Sequence, residues 1–383
     1  MTVFDDLVGQ GPVVAQLEAA VTAARQGTGG MTHAWLFTGP PGSGRETAAT
    51  AFAAALQCAQ EPAGCGYCAS CHQVLQGTHA DLELVRPQGL SYSVKETREL
   101  VLRAASSPGG GRWRIVLFED ADRATEAAAN ALLKAIEEPP ARTVWLLCAP
   151  SPDDLVMTIR SRCRLVTLRT PPADAVARLL VQRDGVEEEL AVEAALAAQG
   201  DIGRARQLAS DSSARQRRRE ILSVPARLTA VGPAVMAAEA LVKAAEAEAK
   251  ALTEELNEAE TTAMRQALGE SVKGRMPRGT AGAMKELEDR QKSRATRLKR
   301  DALDRTLLDL ASFYRDVLTL RFGASVPLVN GDRHPELQAY AGRLSAEAVL
   351  QRLDAIMACR RRLAANVNPL LAVEAMMLEL RTG

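Results

Sequence analysis

Aromatic side chains are scarce in this 383-residue chain, with six Phe, four Tyr and three Trp making up 3% of it. Set beside long Ala- and Leu-rich stretches, that scarcity argues against a β-sandwich and for helix-rich packing. An excess of charge of one sign is also lacking: 47 Lys and Arg balance 47 Asp and Glu. The chain as a whole is therefore no polycation, and any contact with nucleic acid must be local. Long hydrophobic runs are missing too, and none approaches the ~20 residues of a membrane span. The opening Met1-Thr2-Val3-Phe4-Asp5-Asp6 is acidic, unlike the basic start of a signal peptide. These absences lead to the expectation of a cytoplasmic protein with no membrane contact. The length allows two or three domains, each with its own core.

The first 170 or so residues alternate short apolar runs with helical stretches, the pattern of a parallel α/β sheet. Strands are predicted at Ala34–Phe37, Leu82–Val85, Ile115–Phe118, Val144–Leu147 and Leu165–Leu168. Ser93-Val94-Lys95-Glu96 has the form of a capping box and should open a helix. Gly109-Gly110-Gly111 breaks the chain, and a helix over Ala127–Glu137 is stopped by Pro139-Pro140. Pro171-Pro172 marks a boundary. A small helical domain follows, with Ala175, Leu179 and Leu180 on one face of its first helix. The domains expected are 1–170, 171–222 and 223–383, the last almost wholly helical. In it Leu303, Leu307, Leu310, Tyr314 and Val317 recur at helical spacing and form a buried stripe. A charged segment, about 243–300, reads as two long helices joined by turn residues between Gly274 and Gly282. Between Lys273 and Arg300 it holds ten Lys and Arg against three acids. Either it is a solvated helical hairpin, or it is an arm that binds DNA or a partner.

Gly39-Pro40-Pro41-Gly42-Ser43-Gly44-Arg45-Glu46 lies between a predicted strand and a predicted helix, the context of a phosphate-binding loop. Backbone amides and the helix N-terminus of such a loop cradle phosphates. A Lys then reaches the outer phosphates, and the next Ser or Thr hydroxyl binds Mg²⁺. Here those two positions hold Arg45 and Glu46. Arg45 keeps a positive charge on a bulkier planar head. Glu46 sets a carboxylate against the polyphosphate and removes the neutral metal ligand. Thr47, one residue on, is turned about 100° away. The acidic pair after the third strand is Glu119-Asp120, the reverse of the Asp-Glu order that holds Mg²⁺ and polarises water. The loop keeps its form while its chemistry is damaged, so nucleotide binding at Gly39, Gly42, Gly44, Arg45, Glu46, Glu119 and Asp120 is in doubt.

Cysteine, by contrast, is present in number: seven residues, of which Cys58, Cys65, Cys68 and Cys71 are clustered. In a reducing compartment such spacing favours a metal over disulfides. Four thiolates on turns, eased by Gly64 and Gly66, suit tetrahedral Zn²⁺. With no position left for water, the zinc would be structural.

Asn130-Ala131-Leu132-Leu133-Lys134-Ala135-Ile136-Glu137-Glu138-Pro139-Pro140, followed by Ser161-Arg162-Cys163, resembles the shared signature of clamp-loader AAA+ subunits. Phe4-Asp5-Asp6-Leu7-Val8-Gly9-Gln10 is similar to the segment that covers the adenine in that family, and the four-cysteine insert is typical of its bacterial members. The resemblance spans about the first 210 residues. It implies an AAA+ domain, a helical lid and a C-terminal collar that holds a hetero-pentamer with the motor subunits (gamma/tau) and delta, acting on the sliding clamp and primer–template DNA. It also implies that Arg162 enters the ATP site of the adjacent subunit as an arginine finger.

Motor subunits of the family keep an intact Lys-Ser/Thr loop, a sensing Thr after the fourth strand and a sensing Arg in the lid. This chain has Arg45-Glu46, Cys148-Ala149-Pro150, and Gly203 with Arg204 one step out of register. The implied role is a non-hydrolysing subunit that donates Arg162; the alternatives are an active motor-type ATPase and a DNA-binding module acting through residues 273–300. No acidic cluster is placed to hold two metals for nucleotidyl transfer, so DNA polymerase chemistry could attach to this chain only through the holoenzyme it joins.

Overall fold

The computed structural model describes residues 2–267 and 281–382. Five parallel strands form one sheet: β1 (Ala34–Thr38), β2 (Leu82–Val85), β3 (Arg114–Phe118), β4 (Thr143–Ala149) and β5 (Arg164–Thr167). Their order across the sheet is β2-β3-β4-β1-β5, and each lies on the apolar run that predicted it. The three central strands are buried along their whole length, which is why they read as continuous apolar runs rather than alternating ones.

Alternate side chains serve opposite faces. Trp35, Phe37, Ile115, Leu117, Val144 and Leu146 pack with Leu17 of the helix Gly11–Gln26 and Phe52 of the helix Arg45–Gln57. On the other face Leu36, Val116, Phe118, Trp145 and Leu147 meet Leu100 of the helix Val94–Ala104 and Leu132 and Ile136 of the helix Glu126–Glu137. The capping box at Ser93 and Glu96 is formed. Parallel registry sets Phe37 beside Cys148 and Val85 beside Phe118, so the phosphate loop, Arg86, Glu119 and Ala149 all leave the sheet at its carboxyl end. Ligands of open α/β sheets bind at that end.

Residues 1–87 and 91–209 make one compact unit, and residues 210–383 with 88–90 make a second. In the first, the helices Ala173–Asp184, Glu188–Ala198 and Ile202–Ser210 follow the sheet. The buried face of Ala173–Asp184 is Val176, Ala177 and Leu180, whereas Ala175 and Leu179 are half-buried. The stripe is rotated from the expected one because it fits against the alanine-lined face (Ala191, Ala194, Ala195) of the next helix.

The second unit is helical. Leu303, Leu307, Leu310, Tyr314 and Val317 are buried on one stripe of the helix Ala281–Arg321, as their spacing predicted. Two long helices, Val231–Ala267 and Ala281–Arg321, carry the charged segment. Cross-helix ion pairs tie Glu246 to Lys299, Glu248 to Arg305 (2.5 Å) and Glu260 to Arg294 (2.6 Å). Part of the basic run therefore faces its own acidic half. Lys273, Arg275, Arg278 and the expected turn lie outside the described residues, except that Ala281 and Gly282 open the second helix. Among the described residues no helix is long and apolar enough to cross a membrane.

Candidate functional site

The loop between β1 and the helix Arg45–Gln57 has the turns that its glycines permit. Gly42 is left-handed (φ 81°), and a Cβ there would lie 2.7 Å from the Asp201 backbone; Gly44, at φ 83°, caps the helix. Gln10 braces the loop from the N-terminal segment: its amide donates to the carbonyls of Arg169 (2.5 Å) and Ser43 (3.4 Å) and accepts from the Arg169 amide (3.2 Å). Phe4 and Leu7 of the same segment are buried in the core that includes Ala48, Ala49 and Phe52.

Arg45 does not extend away from the loop. Only 8% exposed, it folds back so that Nη1 donates to the Gly39 carbonyl at 2.7 Å, while Nη2 lies 3.5 Å from Glu46 Oε1. Its Nε has no partner. Glu119 is held by two hydrogen bonds from Arg86, at 2.8 and 3.1 Å. Burial raises the Glu119 carboxyl above the usual range; Arg86 opposes the shift and the negative charge of Glu46 adds to it. Cys148, fully buried, is pushed well above an ordinary thiol by burial, with further contributions from the charges of Glu46 and Glu119. Asp120 stands in the left-handed region (φ 47°) and pairs with Arg123 at 3.5 Å. The carboxyl end of the sheet thus gathers three acids, Glu46, Glu119 and Asp120, each beside an arginine, and the Arg45 guanidinium is tied to the loop's own backbone.

The four predicted thiols are brought together. Cys58, Cys65, Cys68 and Cys71 place their sulfurs all within 4.8 Å of one another. Cys58 Sγ is 3.8 Å from Cys65 Sγ and 3.9 Å from Cys68 Sγ. A tetrahedron of sulfurs about 2.3 Å from zinc has edges of about 3.8 Å, so the donor set fits such an ion in number, chemistry and size. Burial works to raise the Cys58 thiol, yet backbone hydrogen bonds with Cys65, Gln60 and Gly64 bring it down to about 6. Burial holds Cys71 up. The cluster could hold a metal ion such as zinc.

Arg162 follows the short helix Met157–Arg160 at the start of β5. Its Nη1 donates to the Thr158 carbonyl at 2.8 Å, and its Nη2 lies 2.5 Å from Glu137 Oε1. Both side chains of that pair are exposed, by 38% and 40%, so a competing anion can reach the guanidinium. Gly203 opens onto Asp201 Oδ1, and the Arg204 amide donates to that same oxygen at 2.9 Å.

Neither Arg86 nor the pairing of Glu137 with Arg162 is anticipated by the sequence motifs. The signal for Arg86 was strand order: once β2 and β3 are known to pair in parallel with Val85 level with Phe118, the residues that follow each strand stand side by side. For Glu137 there was no local signal, because its partner is 25 residues away and is met only through the fold.

A five-stranded parallel sheet with a phosphate loop at its carboxyl end, in a chain that continues into a helical unit, is an α/β P-loop architecture. The family model described as DNA polymerase III, delta subunit, matches residues 14–172, and a second model, for the C-terminal part of the delta protein, matches 293–382. DNA polymerase III subunit gamma/tau of Mycobacterium tuberculosis is 35% identical over 195 residues, 49% of this chain and 33% of that protein. Subunit delta' of Escherichia coli is 39% identical over 145 residues, 37% of this chain and 43% of that one. Subunit delta' of Pseudomonas aeruginosa is 34% identical over 195 residues, 50% and 59%. The chain spans about a third of the length of the gamma/tau relative and up to 59% of the delta' ones. It belongs to the clamp-loader family of DNA polymerase III subunits.

Proposed function

We propose that this chain is the delta prime type of clamp-loader subunit: a ring member that does not hydrolyse ATP and lends Arg162 to the ATP site of a neighbour. The observation that carries this reading is the contrast between two arginines. Arg45, where a working loop has Lys, is bonded to the loop's own Gly39 carbonyl beside Glu46. Arg162, within an intact Ser-Arg-Cys motif, is held only by backbone, a hydroxyl and an exposed carboxylate.

In this mechanism Arg162 exchanges Glu137 for a γ-phosphate of the adjacent subunit, where its guanidinium offsets charge that develops during phosphoryl transfer. Exposed ion pairs are worth about 0.2–1 kcal/mol, so a polyphosphate can displace Glu137. At the home site, Glu46 stands where the Mg²⁺-binding hydroxyl belongs, and its carboxylate disfavours a polyphosphate there. The Phe4–Gln10 segment covers this site, residues 171–222 act as its lid, and the helices from 223 onward form the collar. Zinc held by Cys58, Cys65, Cys68 and Cys71 would supply a closed cross-link between loops, with no open position for substrate. Motor subunits of gamma/tau type, delta, the sliding clamp and primer–template DNA are the partners this role requires.

The test is steady-state turnover of Mg·ATP by the purified chain, compared with Glu46→Ala. No turnover in either is expected. The similarity to gamma/tau subunits supports a second reading, an active motor, and turnover that Glu46→Ala abolishes would establish it instead.

A further inference from the structure

The amino-terminal end of the sheet, opposite the phosphate loop, carries a second concentration of arginine. A cavity of about 360 Å³ is floored by Val21, Ala24 and Leu56 and walled by Arg25, Arg112 and Arg142, with Trp113 beside them. A neighbouring cavity of about 390 Å³ shares Ala24, Trp113 and Arg142 and runs on past Met31, His33 and Pro139. The two are chambers of one groove, lying where β1, β3 and β4 begin.

The backbone that carries the walls is fixed. Gln57, 3% exposed, accepts the Arg112 and Trp113 amides on Oε1 at 2.8 and 3.3 Å and donates to the Trp113 carbonyl. The preceding turn is pinned by Asp81, whose carboxylate accepts the amides of Gly109, Gly110 and Gly111. Arg142 is held in the left-handed region at φ 63°, with its carbonyl bonded to the Arg114 amide at 2.8 Å. A non-glycine residue in that region is strained, and such strain concentrates at working sites.

The guanidinium groups of Arg112 and Arg142 make no hydrogen bond or ion pair with any described residue. Arg25 differs: it bonds the Cys58 carbonyl at 2.7 Å and meets the exposed carboxylate of Glu61, while its buried Nε lacks a partner. Glu61 on Arg25 is an example of the contact that this wall accepts. The groove therefore offers a small apolar face, chiefly Ala24 and Trp113 backed by the buried Val21 and Leu56, beside two exposed and unneutralised guanidinium groups.

We propose that this groove binds an acidic peptide, a segment of a partner protein in which carboxylates flank an apolar residue. The apolar side chain would lie on the half-buried Ala24 and Trp113, and the carboxylates would pair with Arg112 and Arg142. Guanidinium forks match carboxylates in geometry as well as charge. Single-stranded nucleic acid fits less well: such sites track the backbone with a line of cations and stacking surfaces, and past Arg142 the second chamber adds no further Lys or Arg.

The test uses the full chain and a fluorescein-labelled peptide, Gly-Glu-Glu-Leu-Glu-Glu, followed by anisotropy at low salt. Controls are the same peptide with Ser for Leu, its Lys-for-Glu counterpart, and oligo-dT. Saturable binding is expected for the first peptide alone, weakened by added salt. The double variant Arg112→Glu/Arg142→Glu should reduce its affinity about tenfold or more. Arg142→Gly, which suits the left-handed backbone, keeps the fold while removing one cation and should weaken binding to a lesser extent. No saturable binding by the wild type, equal binding of the Ser peptide, stronger binding of oligo-dT, or affinity unchanged in a folded double variant would each overturn the proposal.

Discussion

Substituting Arg45 by Met keeps an aliphatic stem inside the loop but removes the guanidinium. In the structure that group contributes a charge-assisted hydrogen bond to the Gly39 carbonyl at 2.7 Å and a long contact with Glu46 at 3.5 Å, in a setting only 8% exposed. Such bonds are worth about 1.5–3 kcal/mol. The unpartnered Nε in the wild type offsets part of this, because a buried donor left unsatisfied costs about 1 kcal/mol or more. The net loss should be about 0.5–2 kcal/mol. For a unit of this size, 1 kcal/mol shifts the midpoint by about 2–4 °C, so Arg45→Met should melt about 1–8 °C below the wild type. Thermal melts with and without Mg·ATP separate a structural tie from a phosphate ligand. A nucleotide present at 100 times its dissociation constant would stabilise the folded chain by about 2.7 kcal/mol. The expected result is a lower melting temperature in the variant and no nucleotide-dependent rise in either protein. If Mg·ATP stabilises the wild type and Arg45→Met loses that rise, Arg45 binds phosphate and the reasoning fails.

Replacing Cys68 with Ser should lower bound zinc, measured by elemental analysis of the purified chain, from about one ion per chain towards none. Its melting temperature should fall too, because Cys58 and Cys71 of the same cluster sit within the main core; full metal retention would contradict the assignment. Glu119 has a folded-state pKa above its unfolded one, so its contribution to stability is fully present below the unfolded value and is lost as pH rises through the folded value. Glu119→Gln should therefore gain stability relative to the wild type as pH climbs from 4 to 7 in urea titrations; a gain that shrinks over that interval has the wrong sign.

The sheet was legible because buried parallel strands must be apolar throughout, and turn residues bound each run. All five strands lie where that logic put them. The cysteine cluster was legible for a similar reason: short spacings leave thiols little freedom to diverge. Interactions between segments were not legible. The bond from Arg45 to Gly39, the clasp of Arg86 on Glu119 and the pair between Glu137 and Arg162 depend on rotamers and on strand order. The helix Ala173–Asp184 shows the same limit. Its apolar positions were evident, but which of them face inward was decided by the alanine-lined partner helix. In the charged segment composition suggested a basic surface, whereas the fold turns Arg294 and Lys299 towards acids on the companion helix.

The central claim is that Arg162 works in a neighbour's site while its own chain stays passive. The direct measurement is the DNA-stimulated ATPase of a loader assembled from gamma/tau-type motor subunits, delta and this chain, with Arg162→Ala compared to wild type. Removing an arginine finger costs about 10³-fold or more at the site it serves. In the proposed ring the other sites would keep their own arginines, so intact assembly and a partial fall in turnover are expected. An assembled loader whose turnover is unchanged by Arg162→Ala would contradict it.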